Sequence, residues 1–308
     1  MKHTGVFILL LFFGSCSSYT YQNVALRGKA TQSYRFGPDA FGAAYNAIDG
    51  NRDSDYPADS CTHTAEQTNP WWRVDLLESY IITSITITNR GDCCAERING
   101  AKIHIGNSLG YHNGITNPLA GVICEIPAGN SFTLTFTNRV EGRYVVVFLP
   151  GPNKILTLCE VEVYGYRAPT GENLALQGKA SQSSLHFNGI AYYAIDGNRA
   201  NSYDRASCTH TNNDMNPWWR LDLRKTHKVF SVKITNRYNY SERLNGAEIR
   251  IGDSLENNGN NNPRYIPGGA TAEFQCNGMD GRYVTVVIPG RQEYLTLCEV
   301  EVYGSVLD

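Results

Sequence analysis

Two histidines and four arginines recur in this chain at matched spacing. His63 precedes Arg90 by 27 residues, and a second arginine follows at Arg97. His210 precedes Arg237 by the same 27, and Arg243 follows. A guanidinium offers five fixed donors and an imidazole one edge, a set that suits a ligand rich in acceptor oxygens. Such a ligand is a carboxylate, a sulfate or the vicinal hydroxyls of a sugar. Asp92 beside Arg90 offsets part of the charge and tilts the reading toward a neutral polyol.

Between the first two arginines, NRGDCCAERING (89–100) places Cys93 next to Cys94, whereas NRYNYSERLNG (236–246) keeps the arginines and lacks both cysteines. Partners elsewhere would leave orphans in the second half, so the pair is expected to bond to itself. Its loop is nearly nil and stabilises little. A vicinal disulfide with no stapling role reads as a flat, soft contact surface beside the donors. Cys61 and Cys159 have counterparts in Cys208 and Cys298, which predicts one disulfide within each half. Cys124 and Cys276 match nothing between the halves, and their pairing stays open.

A second constellation is oxygen-rich. Asp49, Asn51 and Ser60 lie in a turn-dense loop, repeated as Asp196, Asn198 and Ser207. The expected disulfides would draw Glu160 and Glu299 to these loops, and hard oxygen donors around a loop suit Ca²⁺. No Gly-rich phosphate loop, zinc-ligand spacing or nucleophile motif competes, so a catalytic reading has nothing to stand on. RGD (90–92) matches an integrin-binding tripeptide, but Arg90 already belongs to the His–Arg–Arg set.

The elements that must position these residues are duplicated too. NVALRGKATQS (23–33) returns as NLALQGKASQS (173–183), NPWWRVDL (69–76) as NPWWRLDL (216–223), and LTLCEVEVYG (156–165) as 295–304. AIDGNR (47–52) recurs unchanged at 194–199. Two domains are expected, 22–165 and 172–305, joined by a linker at 166–171. ITSITITNR and FSVKITNR alternate apolar and polar residues, and Gly, Asn and Pro turns separate such stretches. The expected class is all-β, two sandwich or jelly-roll domains. One indole of each Trp71–Trp72 and Trp218–Trp219 pair is expected in the core.

Basic and acidic residues nearly balance at 27 and 29, with no polybasic run, which argues against nucleic acid as a partner. The apolar run VFILLLFF (6–13) is followed by GSCSS, which reads as a signal peptide over residues 1–18. The run is far shorter than the roughly 20 residues of a spanning helix. A secreted, extracellular chain without membrane insertion is expected. Removing Cys16 with the signal leaves eight cysteines, an even count that fits disulfides in an oxidising compartment.

Together CTHT, the His63–Arg90–Asp92–Arg97 spacing, Cys93–Cys94, NPWWRVDL and CEVEVYG resemble the F-type lectins, or fucolectins, as two tandem domains of the fish type. The resemblance covers essentially the whole mature chain. It implies a discoidin-like, F5/8 type C-like β jelly roll that binds terminal α-L-fucose on glycoproteins or microbial surfaces, without enzymatic activity. Two sites per chain would give avidity in innate immune recognition and agglutination, and a homo-oligomer is compatible with it. The implied sugar contacts are His63, Arg90, Arg97, Cys93 and Cys94, then His210, Arg237 and Arg243. One structural Ca²⁺ per domain is implied, on Asn46, Asp49, Asn51, Ser60, Cys159 and Glu160, then Tyr193, Asp196, Asn198, Ser207, Cys298 and Glu299. Candidates for a pocket around the fucose methyl are Tyr34, Phe36 and Tyr56, then Leu185 and Tyr203. The second copy departs from the pattern: Asn239 is read in place of Asp92, and Tyr238 or Tyr240 in place of the disulfide. Two alternatives remain, a discoidin-like surface or membrane adhesion module and a binder of sulfated or sialylated glycans.

Overall fold

The computed structural model describes residues 21–37, 41–259, 261–265 and 272–307. The expected signal peptide and Cys16 lie outside these residues. In the first half the strands are β1 (Lys29–Gln32), β2 (Trp71–Thr88), β3 (Lys102–Gly106), β4 (Leu119–Val122), β5 (Ser131–Phe148) and β6 (Glu160–Arg167). The second half repeats the plan in β7 (Lys179–Gln182), β8 (Asp214–Met215), β9 (Trp218–Thr235), β10 (Glu248–Gly252), β11 (Arg264–Tyr265), β12 (Ala272–Val287), β13 (Gln292–Glu293) and β14 (Glu299–Val306). Among the described residues every helix is a short 3₁₀ turn, and the class is all-β as expected.

The organising element is an 18-residue strand, where the sequence suggested separate stretches. Trp72, Val74 and Leu76 alternate inward along the first part of β2, and Ile85 and Ile87 along the last part. Between them the pairing with β5 breaks from Asp75 to Tyr80, and Leu77 sits at a left-handed φ of 71°. A bulge of this kind bends a strand, so one strand can serve two layers. The first part of β2 pairs with β1, and the second with β6. Asp75 holds the corner, accepting the Leu77 amide at 2.8 Å and the Arg143 fork at 2.6 and 2.8 Å. Arg224, at φ 70°, and the Asp222–Arg282 pair repeat the device.

Each domain closes on its own apolar core. Trp72 and Trp219 are fully buried, and their indole N–H groups donate to the Ala44 and Ala191 carbonyls at 2.9 Å. Trp71 and Trp218 are half-buried under Arg73 and Arg220, so one indole of each pair is core, as expected. Strand β6 runs to Arg167 and takes in the first two residues of the linker stretch, 166–171. Tyr166 there meets Phe230 of the second half at 6.1 Å between ring centroids, and Arg139 lies over the other half's Phe230 at 5.8 Å.

Candidate functional site

The tetrapeptide CTHT positions its histidine by strand alternation. Thr62 and Thr64 face the segment Leu156–Leu158 and lace to it through main chain and hydroxyl: Thr62 N–H to Leu158 O at 2.7 Å, Leu158 N–H to Thr62 Oγ1 at 3.0 Å. Thr64 and Leu156 repeat the exchange at 3.1 and 2.9 Å. His63, between them, therefore projects to the opposite side. The Cys61–Cys159 disulfide clamps the same two segments. Behind the histidine, Gly42 packs so closely that a Cβ there would come within 2.9 Å of the His63 Cβ. In the second domain Thr209, Thr211, Leu295, Leu297, Gly189 and the Cys208–Cys298 disulfide rebuild this frame around His210.

The frame also fixes the tautomer. His63 Nδ1 lies 2.8 Å from the Thr64 carbonyl, which can only accept, so Nδ1 carries the proton and Nε2 exposes its lone pair. His210 does the same toward Thr211 at 2.7 Å. Burial holds the His63 imidazole below its ordinary value, against the pull of the Thr64 bond, and the charges of Arg97 and Arg90 act in the same direction. Burial lowers His210 as well, with His186, Arg237 and Arg243 adding to it.

Arg97 reaches that lone pair, and Arg90 comes near the imidazole from a second element. Arg90 follows β2, where Asn89 locks the chain by donating to the Ala95 and Ile126 carbonyls and accepting the Arg90 N–H. Arg97 belongs to the 3₁₀ turn Ala95–Ile98, and its Nη1 stands 3.4 Å from His63 Nε2. Arg90 is buried and forks onto Asp92 at 2.8 and 2.6 Å, which holds the Asp92 carboxyl at about 2. The RGD tripeptide is thus closed on itself. The Arg90 guanidinium also lies 4.5 Å from the Tyr56 ring centroid, and Tyr56 meets His63 at 5.1 Å. The Cys93–Cys94 disulfide is present, with Cys93 exposed and Cys94 at φ 59° opening the turn that carries Arg97.

The second copy keeps the walls and rebuilds the floor. Tyr240, at φ 65°, opens the turn Ser241–Leu244 as Cys94 does in the first copy. Tyr238 donates to the Asn201 carbonyl as Gly91 does to that of Ser54. Asn239 therefore stands for Asp92 and Cys93 together, where the sequence aligned it with Asp92 alone. Of the two tyrosines read in place of the disulfide, Tyr240 is the one whose ring lies between the arginines, Arg237 at 5.3 Å and Arg243 at 4.3 Å.

Beside each histidine is an aromatic pocket, only partly foreseen. Phe36, Phe41 and Tyr56 line the first, whereas Tyr34 is exposed and lies outside that lining. Phe187, Asn188 and Tyr203 line the second, and Leu185 is exposed outside it. His186 takes the place of Phe36, stacking on His210 at 4.6 Å, and Tyr294 adds an edge at 5.4 Å. No sequence signal marks His186 or Tyr294, because neither recurs in the first half.

The oxygen-rich loops meet the last strands as the disulfides require. Glu160 is buried; its Oε1 accepts the Gly50 N–H at 3.2 Å, and its Oε2 is left without a partner. Burial first, then the nearby Asp49 charge, push its carboxyl up to about 8. Glu299 copies this with Gly197, an unpartnered Oε2 and a value of about 7. Asp49, Asn51 and Ser60 ring the same loop, with Asn51 N–H bonded to Asp49 Oδ1 and Ser60 Oγ to the Asp55 carbonyl. Asn46 turns its amide nitrogen toward Asp59 and Cys61, and half-buried Tyr193 replaces it in the second copy. Among the described residues no group of three or more His, Cys, Asp or Glu side chains gathers as a metal site. Any cation here would draw on two carboxylates supplemented by carbonyl, amide and hydroxyl oxygens. Cys124, exposed, and Cys276, buried, are free thiols.

The model of the NedA-like, galactose-binding domain, of the F5/F8 type C class, matches residues 46–147 and again 193–286. Fucolectin-1 of Anguilla japonica is 56% identical over 149 residues, which are 47% of this chain and 82% of that protein. The fucolectin of Anguilla anguilla is 55% identical over 147 residues, 47% of this chain and 92% of that one. The crystal structure of a fucolectin from Morone saxatilis (striped bass) serum superposes with a TM-score of 0.90 at 73% identity, covering 94% of this chain and 100% of that one. Two domain repeats, each with a His–Arg–Arg set on a matching jelly-roll frame, place this chain in the F-type lectin, or fucolectin, family.

Proposed function

We propose that the chain is a secreted, non-enzymatic lectin that binds terminal α-L-fucose at two sites. The observation that carries this is the fixed tautomer. His63 Nε2 is an acceptor met only by the long 3.4 Å contact from Arg97, which a sugar hydroxyl can displace by giving its proton to His63 while its oxygen, or the ring oxygen, accepts from Arg90 and Arg97. An anion has no proton for Nε2, and Asp92 already occupies the Arg90 fork, so a neutral polyol fits the first site better than a sulfate. The Cys93–Cys94 face would pack against the sugar ring, Tyr240 would stack in the second site, and the aromatic pockets would take the methyl group. Similarity to the eel and bass fucolectins supports the same ligand.

The oxygen-rich loops fit one Ca²⁺ per domain, held by Asp49 and Glu160 with Asn46, Asn51, Ser60 and the Cys159 carbonyl, and by their counterparts from Tyr193 to Glu299. An ion there would satisfy the orphaned Glu160 Oε2 and Glu299 Oε2 and tie each loop to its last strand. Disulfides suit an oxidising, extracellular setting, and among the described residues no helix is long and apolar enough to cross a membrane. Agglutination of fucosylated microbial surfaces is the role this arrangement supports.

A glycan array and fucose titration of Arg90→Ala and Arg237→Ala test the reading. Each substitution should weaken its own site by about 1.5–3 kcal/mol, roughly 10- to 150-fold, for a lost charged hydrogen bond. Sulfated or sialylated ligands bound with steep salt dependence, and fucose ignored, would replace this reading with the anionic one.

A further inference from the structure

Asn239, Tyr240 and Ser241 form an Asn-x-Ser acceptor sequence for N-linked glycosylation, and no other position in the chain does so. Asn239 is exposed in the turn after β9, two residues before the 3₁₀ turn Ser241–Leu244 begins. Its neighbour Tyr240 is the ring held between Arg237 and Arg243. A group on the Asn239 amide would start one residue from that platform, about 3.8 Å along the chain. In the first domain the same stretch holds Cys93, tied to Cys94 and with no amide to modify.

We propose that Asn239 carries an N-linked glycan that covers the second site, leaving the first open. The inference rests on the lectin reading for what is covered, and on the chain's passage through an oxidising secretory compartment. The Asn239 Nδ2 attacks C1 of the first sugar of a lipid-pyrophosphate-linked oligosaccharide. The N–C1 bond forms, the C1–O bond breaks, the lipid pyrophosphate leaves with the electron pair, and the amide gives up one proton. A branched, hydrated chain rooted at the rim then competes for the space above Tyr240. The secreted chain would engage surfaces through one site, and the unmodified chain through two.

The test uses the full chain secreted from eukaryotic cells. Mass spectrometry of the peptide containing 236–243 should find a hexosamine-rooted glycan on Asn239; an unmodified Asn239 overturns the proposal. Binding to a fucosylated glycan is then compared between Arg90→Ala and the Arg90→Ala/Ser241→Ala double variant. Ser241→Ala removes the acceptor sequence while keeping the Ser241 carbonyl that anchors Asn236. Enzymatic removal is avoided, since it would leave an aspartate beside Arg237. The double variant should bind roughly tenfold or more tightly than the glycosylated single variant. Equal affinities overturn the proposal. So does absence of binding in both, and in that case fucose binding by Arg237→Ala shows whether the lectin reading still stands for the first site.

Discussion

At the scale of single residues, His63 is the group whose state decides what the site can hold. Its Nδ1–H is committed to Thr64, so Nε2 accepts only while the ring is neutral. Burial depresses its pKa, and Arg97 and Arg90 add to the depression. The neutral form therefore persists at neutral pH and below the ordinary imidazole value of about 6.5. Its contribution to folding is complete above that value and is lost as pH falls toward the lower folded one. Fucose affinity at the first site, measured by titration of Arg237→Ala, should stay level from pH 8 through about 6.5 and fall only as pH approaches the lower folded value of His63. Protonation removes the acceptor and puts a third positive charge beside two arginines. Affinity that stays unchanged through the pH at which the His63 ring itself protonates, followed by NMR, would exclude Nε2 as a contact.

At the scale of elements, each site is a set of strand ends tied to one loop. CTHT presents His63 because threonines on either side lace to Leu156–Leu158, and the neighbouring loop 46–60 meets Glu160 at the start of β6. The burial of the Glu160 carboxyl and its repulsion by exposed Asp49 are what a Ca²⁺ would relieve. Calcium at a hundredfold its dissociation constant should stabilise each domain by about 2.7 kcal/mol. Thermal unfolding with calcium and with a chelator measures this directly. Midpoints that coincide in the two conditions would remove the ion from the account. The chelated chain should also keep its disulfides, since Cys61–Cys159 and Cys208–Cys298 close independently of any ion.

At the scale of the whole molecule, the duplication gives each chain two His–Arg–Arg sets. Under the proposed reading, two open sites on one chain would convert weak single-site binding into surface attachment stronger by roughly 10²–10⁴ where both can reach the glycans. For the chain with both sites open, Arg90→Ala or Arg237→Ala should lose that factor on a fucosylated surface. The intact site should keep its affinity for a monovalent fucoside. Surface binding that falls only twofold would mean that the two sites do not reach one surface together.

The sequence by itself determined the domain duplication, the all-β class, the three disulfides and the His–Arg–Arg sets. These are properties of residue type, spacing and repetition, and repetition makes a pattern visible without coordinates. Bringing His63, Arg90 and Arg97 together took tertiary structure, because loop, strand end and 3₁₀ turn meet only when the sandwich closes. The same closure decided that Arg90 is neutralised by Asp92 while Arg237 faces Tyr203 and Tyr240. It also put Asn239 in the place of two residues, and brought His186 and Tyr294 against His210. Asp92, Asn239, Tyr240, His186 and Tyr294 have no residue of the same type at the matching place in the other half, so comparing the copies could not reveal their roles. What lies alongside a buried imidazole depends on long-range packing, which spacing along the chain does not encode.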